Sequence, residues 1–211
     1  MMFNRRKFVA TAVAVSGALA TKAAGQQPGI KVDGGLARLE KKVRPERAER
    51  LVPPGASSVK DFYDKCTACQ LCVAHCPGNV LSPSSDVEHF LQPRMDYVNG
   101  WCRPECTACS TVCPTGAIKP LAREQKTLIR IGTARINPAL CLAANGKESC
   151  GNCVEHCPSG ALMMVKDEKS GKPRPVVSEQ QCTGCGACEF LCPVRPLSAI
   201  TVDGLSTHQS K

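Results

Sequence analysis

The residues of this 211-residue chain whose type and spacing most directly imply chemistry are its sixteen cysteines. The first group is Cys66-Thr-Ala-Cys69-Gln-Leu-Cys72-Val-Ala-His-Cys76-Pro77, and the last is Cys182-Thr-Gly-Cys185-Gly-Ala-Cys188-Glu-Phe-Leu-Cys192-Pro193. Both match C-x2-C-x2-C-x3-C-P, the run that holds cubane iron–sulfur clusters. The second group, Cys102, Cys106, Cys109 and Cys113-Pro114, has one extra residue in its first gap. The third, Cys141, Cys150, Cys153 and Cys157-Pro158, has a longer insertion there, from Leu142 to Ser149. The four motifs (66–77, 102–114, 141–158 and 182–193) consume every cysteine.

The spacing has a mechanical reason. Two-residue gaps wrap the backbone tightly enough for three thiolates to converge, with backbone N–H groups turned toward the sulfurs. The fourth cysteine is expected to start a short helix toward a second cluster, and the proline after it turns the chain and donates no hydrogen bond. Zinc prefers two cysteine knuckles separated by a longer spacer, which is a different pattern. Disulfides suit an exported protein, but cysteines this close bridge one another only with strain, and four Cys-Pro endings would go unexplained. The reading is therefore four [4Fe–4S] clusters. In two-cluster ferredoxins the fourth cysteine of each run ligates the other cluster, so the motifs work in pairs. Sequential pairing joins one with two and three with four; nested pairing joins one with four and two with three.

The elements that must position these motifs repeat as well. Thr115-Gly116-Ala117-Ile118 and Ser159-Gly160-Ala161-Leu162 follow the second and third prolines, and Ser198 to Val202 follows the fourth motif. Each reads as a tight turn into a short strand. Ala161–Val165 and Arg174–Val177 read as a hairpin around Lys169–Lys172, and 127–136 as a longer strand. The fold class expected is α+β: duplicated bacterial-ferredoxin-like units with short helices, β-hairpins and cluster-binding loops. Aromatic residues are only 4% of the chain, so clusters serve as much of the core and folding is coupled to their binding.

Residues 1–24 read as a signal segment. Arg5-Arg6-Lys7-Phe8 precedes a mild apolar run to about Ala20, too short and too weakly apolar for a membrane span. Paired arginines in that setting indicate twin-arginine export, which carries proteins already folded around their cofactors. Residues 25–60 read as a linker, 61–205 as the tandem cluster domain and 206–211 as a tail. Leu36–Arg44 has some helical character, and Pro45 and Pro53-Pro54-Gly55 interrupt the linker. It is read as a solvated tether or as a segment against a partner or anionic membrane surface, so peripheral membrane association is an expectation too.

The formal charge is +9. The signal segment holds Arg5, Arg6, Lys7 and Lys22 and no acids, which leaves +9 less 4, or +5. Clusters with their thiolates carry about −2 each, bringing the loaded chain to roughly −3. The basic composition thus offsets cluster charge, and no stacking platform or motif for nucleic acid accompanies it.

The order of these features resembles the MauM/NapG family of exported ferredoxin-type proteins. The resemblance rests on Arg5-Arg6-Lys7-Phe8, on Val52-Pro53-Pro54-Gly55-Ala56, on the interrupted third motif opening Asn137-Pro138-Ala139-Leu140-Cys141-Leu142, and on Gln181-Cys182-Thr183-Gly184-Cys185-Gly186. The Cys102-x3-Cys106 gap is more compact than in many members. The resemblance implies a periplasmic electron carrier. Its expected partners are a membrane-bound polyferredoxin or quinol oxidase-type protein on one side and a periplasmic reductase or cytochrome on the other. A permanent subunit of an exported oxidoreductase and a maturation factor are the alternatives. Four-motif subunits of molybdenum enzymes use nested pairing, and that resemblance favours sets of Cys66, Cys69, Cys72 with Cys192; Cys102, Cys106, Cys109 with Cys157; Cys141, Cys150, Cys153 with Cys113; and Cys182, Cys185, Cys188 with Cys76.

Four other residues stand out. His75 and His156 precede fourth cysteines, where a local hydrogen bond is the simple reading and proton-coupled transfer the sharper one. Tyr97 and Trp101 precede Cys102 and either shield a cluster from water or bridge electron flow; exposure and hydrogen bonds to sulfur tune potential. No hydrolytic triad, phosphate loop, flavin or nicotinamide fingerprint or C-x-x-C-H haem site occurs, so no catalytic residues are assigned and the chain is read as a carrier rather than an enzyme.

Overall fold

Proline and glycine, 16 and 17 of the 211 residues, break the chain into short elements. The computed structural model describes residues 40–168 and 171–211; the expected signal segment and linker residues 25–39 lie outside them. The elements are α1 (Val59–Lys65), α2 (Leu71–Ala74), β1 (Leu81–Pro83), β2 (Pro93–Met95), α3 (Ala108–Thr111), α4 (Arg123–Leu128), β3 (Ile129–Ile136), α5 (Asn152–Glu155), β4 (Leu162–Lys166), β5 (Pro173–Val177), α6 (Ala187–Leu191) and β6 (Ile200–Ser210).

Two antiparallel hairpins return the chain to the cysteine loops. In the first, Leu81 pairs with Met95 and Pro83 with Pro93. In the second, Leu162 pairs with Val177 and Lys166 with Pro173, close to the strands the sequence predicts. A third pair, β3 with β6, runs antiparallel from Ile136↔Ile200 to Ile129↔Ser210, with an irregularity between Arg130 and Gly132. The expected strand at 127–136 is present, except that its first two residues close α4.

α1 starts where Ser58 Oγ accepts a hydrogen bond from the Asp61 N–H at 3.0 Å, satisfying one donor of the helix end. It buries Phe62 and Tyr63 and delivers Cys66 in extended conformation. α2, α3, α5 and α6 are four or five residues each. Each carries the third cysteine of its motif (Cys72, Cys109, Cys153 and Cys188), and the fourth follows its end. The expectation that the fourth cysteine starts the helix is corrected. The three-residue spacer makes about one helical turn, and proline stops it there.

Three further expectations are corrected. The stretch 42–56 is not a solvated tether: Leu51 and Val52 are 2% and 0% exposed. Arg44 pairs with buried Asp96 at 2.7 Å and Arg47 with buried Glu189 at 2.7 Å. Apolar side chains and paired arginines hold this strap in the core, although its lysines and arginines look solvated in isolation. Residues 206–211 are not a free tail, because β6 uses the edge of β3 as far as Ser210. Thr115–Ile118 forms a turn with no strand; Ala117 and Ile118 are buried, and the Lys119 N–H bonds the Gly55 carbonyl at 3.0 Å. The core joins Phe62, Tyr97, Ile118 and Val202 to the cysteine loops.

Candidate cluster-binding site

The cysteines gather in four quartets, each built from three cysteines of one motif and the fourth of its neighbour. Cys102, Cys106 and Cys109 line a cavity with Cys76. Cys141, Cys150 and Cys153 line another with Cys192, and Cys182, Cys185 and Cys188 a third with Cys157. Cys66, Cys69 and Cys72 have Cys113 beside them. The pairing is therefore sequential, one with two and three with four, and the nested sets are corrected. The physical reason lies in the connections. Short hairpins fold each motif back on its neighbour at little loop-closure cost, so that α2 packs on α3 and α5 on α6.

All sixteen cysteines are free of disulfides. Burial, and then the neighbouring thiols, push Cys72 up to about 11 and Cys109 and Cys153 up to about 12. Four thiolates in one buried cavity repel one another until a cation compensates them. Among the described residues no group of three or more His, Cys, Asp or Glu is drawn together as a single-ion site; the sulfurs of three quartets line cavities. All-sulfur quartets around a cavity fit a cubane cluster, whose iron–sulfur core supplies the positive charge. Such a cluster, when bound, supplies reversible one-electron oxidation and reduction.

Hydrogen bonds aim at the sulfurs. The Ile118 N–H donates to Cys113 Sγ at 3.4 Å and the Ala134 N–H to Cys182 Sγ at 3.4 Å. Thr115 Oγ1 lies 3.7 Å from Cys113 Sγ, and Ser159 Oγ 3.6 Å from Cys157 Sγ. Burial alone would raise Cys113, but donors from Ile118, Thr115 and Ala117 bring it below the ordinary thiol range. The two hydroxyls were not singled out from the sequence. Their signal is the repeated Cys-Pro-Thr/Ser-Gly at 113–116 and 157–160.

Backbone conformation follows the motif type. In the uninterrupted first and fourth motifs, Ala68 and Gln70 (φ 56° and 64°) stand where Gly184 and Gly186 (φ 78° and 79°) do. These left-handed residues bend the chain around the cavity. Glycine adopts that conformation without steric cost, whereas Ala68 and Gln70 adopt it despite a Cβ.

Lys126 is a third residue that sequence reading missed. It is buried, and its Nζ donates to the carbonyls of Arg103 and Cys106 in the second motif's loop. Burial raises the Cys102 thiol, and the Lys126 ammonium opposes that rise. Nothing in the spacing marks this lysine, seventeen residues beyond Cys109.

His75 and His156 are exposed, and each Nδ1 contacts the carbonyl four residues back, at 2.9 and 3.0 Å. They make the local contact of the simple reading. Tyr97 is fully buried beside Cys102 and Cys185, while Trp101 is only partly covered. Among the described residues no helix is long and apolar enough to cross a membrane.

Residues 65–118 and 148–195 each match a 4Fe-4S dicluster domain. These boundaries enclose motifs one with two and the main part of three with four, as the quartets do. The chain is 32% identical over 199 residues to the methylamine utilization ferredoxin-type protein MauM of Methylobacillus flagellatus, covering 90% of this chain and 84% of that protein. It is 32% identical to the ferredoxin-type protein NapF of Escherichia coli, over 74% and 86% of the two chains. The ferredoxin-type protein NapG of the same species is 30% identical, over 77% of each. A solved chain from a formate dehydrogenase–heterodisulfide reductase–formylmethanofuran dehydrogenase complex of Methanospirillum hungatei aligns with 18% identity and a TM-score of 0.29, over 71% of this chain and 51% of that one.

Proposed function

This chain belongs to the family of MauM, NapF and NapG ferredoxin-type proteins, and from that premise we propose that it is an exported carrier of electrons through four [4Fe–4S] clusters. The iron–sulfur electron carrier is the family's; the count, the export and the partners are our reading. The single observation that carries the count is the grouping of sixteen cysteines into four all-sulfur quartets. Each quartet would hold one cluster. The chain's own groups would do the rest: N–H and hydroxyl donors stabilise charge on sulfur, and apolar side chains limit water.

The export reading rests on Arg5-Arg6-Lys7-Phe8 and the mild apolar run after it, with delivery to the periplasm. The partners proposed are a membrane-bound, quinol-linked polyferredoxin as donor and a periplasmic reductase or cytochrome as acceptor. One observation favours a permanent subunit of an exported oxidoreductase. Met163, Met164 and Val165 on β4 are 36–49% exposed, an apolar strip suited to a lasting interface. Co-purification of a catalytic partner at fixed stoichiometry separates that assembly from a transient carrier.

The test is anaerobic purification with iron and acid-labile sulfide analysis, followed by a redox titration read by electron paramagnetic resonance. About sixteen iron atoms per chain and four reducible signals are expected. Zinc in place of iron, or clusters that take up no electron, would sink the proposal.

A further inference from the structure

The two cluster-binding halves meet where Cys102 of the second motif faces Cys185 of the fourth. The Cys102 N–H donates to the Cys185 carbonyl at 2.9 Å, and both residues line one cavity. Tyr97 is packed into this junction with no exposed surface. Its hydroxyl donates to the Gly184 carbonyl, one residue before Cys185. Its ring fills the space in which a side chain at Gly186 would stand, one residue after Cys185. The Arg47 guanidinium lies 5.5 Å from the ring centroid.

We infer that the Cys102–Cys185 contact is the crossing between the two halves and that Tyr97 is the positioning residue that holds it closed. This rests on the electron-carrier reading. The order along the molecule then departs from the order along the chain. It runs from the quartet of the first motif to that of the second, across to that of the fourth, and ends at that of the third. The first and third quartets are the two ends, where donor and acceptor would dock. At the crossing one electron leaves one half and is taken up by the other, so one side is oxidised as the other is reduced; no bond changes.

The arrangement explains why Gly184 and Gly186 surround Cys185. A Cβ at Gly184 would run into the backbone of Gly132 in β3, and one at Gly186 into Tyr97. The fourth motif's loop is thus pressed between β3 and Tyr97. β3 grips it further, with the Ile131 N–H on the Thr183 carbonyl at 3.0 Å and the Ala134 N–H on Cys182 Sγ.

The test uses the full chain loaded with clusters under anaerobic conditions. Magnetic coupling between the halves is measured by electron paramagnetic resonance in the reduced wild type and in the single variants Cys69→Ser, Cys106→Ser, Cys150→Ser and Cys182→Ser. Coupling across the halves is expected to be lost or altered in Cys106→Ser and Cys182→Ser and kept in the other two. In stopped-flow reduction, Tyr97→Ala is expected to slow equilibration between the halves by roughly tenfold or more, since misplaced partners lose rate steeply. Tyr97→Phe, which keeps the ring, should retain most of the rate at unchanged iron content. Coupling that survives in Cys106→Ser or Cys182→Ser, or a wild-type rate in Tyr97→Ala, would overturn the inference and leave the carrier reading standing. If Tyr97→Ala fails to load iron, the coupling pattern decides alone. A loaded wild type that accepts no electron overturns both readings.

Discussion

A buried ammonium beside thiolate ligands changes which oxidation state a cluster site prefers. Lys126 places its charge on the second motif's loop, where added negative charge on reduction is stabilised. Its replacement by Gln is expected to lower the midpoint potential of one site by something of the order of 50–100 mV, from a charge acting through several ångströms of protein. A redox titration followed by electron paramagnetic resonance checks it; four potentials equal to the wild type's would remove the electrostatic role. At this scale the cysteines were legible because backbone geometry alone dictates their spacing. Thr115 and Ser159 were half legible through Cys-Pro-Thr/Ser-Gly. Lys126 was not, because its partners are carbonyls that carry no residue signature.

At the scale of elements, β6 shows how a strand read as ending early acquires a role. The His208 N–H donates to the Ser57 carbonyl at 3.1 Å, and an isolated bridge joins Thr207 to Ser58, so β6 ties the start of α1 to β3. His208 is half-buried, and its two ring nitrogens are inaccessible and have no hydrogen-bond partner. Burial lowers it to about 4. A depressed histidine in the fold costs stability wherever the unfolded chain binds the proton and the fold does not. Its contribution is complete above about pH 6.5 and is lost as pH falls toward 4, up to about 3 kcal/mol. Thermal unfolding of wild type and His208→Leu between pH 7 and pH 4 should therefore show the wild type losing ground as the pH drops. Parallel curves would dismiss the idea. The β4–β5 hairpin was legible from its Gly/Lys turn and flanking apolar runs; the β1–β2 hairpin was not, because its strands are three residues each and begin or end on proline. The continuation of β6 was not, because its polar sequence Ser206-Thr207-His208-Gln209 earns a strand only from the edge it meets.

Over the whole molecule, the strap from Lys42 to Ala56 adds to the contacts that join the halves. Arg47 pairs with Glu189, both nearly inaccessible, and Glu189 also accepts the Val202 N–H at 2.7 Å. Arg44 pairs with Asp96 in the first half, and the Val43 N–H bonds the Pro196 carbonyl in the second at 2.9 Å. Glu189→Ala strands the Arg47 charge and is expected to cost about 3–5 kcal/mol, whereas Arg47→Met with Glu189→Leu should cost much less. Unfolding of the two single variants and the double variant checks the coupling; additive losses would show that the pair contributes nothing as a pair.

The sequence by itself determined the cofactor class, the motif boundaries and the α+β repeat. These depend on spacings of two and three residues, a range over which the backbone has few choices. It left the pairing of motifs open, and the likeness to four-motif subunits of molybdenum enzymes pointed to the nested arrangement. Only the tertiary structure decided that neighbouring motifs share their fourth cysteines, that the presumed tether is a strap, and that Cys102 meets Cys185. Those outcomes depend on closing loops between residues tens of positions apart, and on charges such as Arg47 and Glu189 finding each other across 142 positions. No local pattern records a contact of that range.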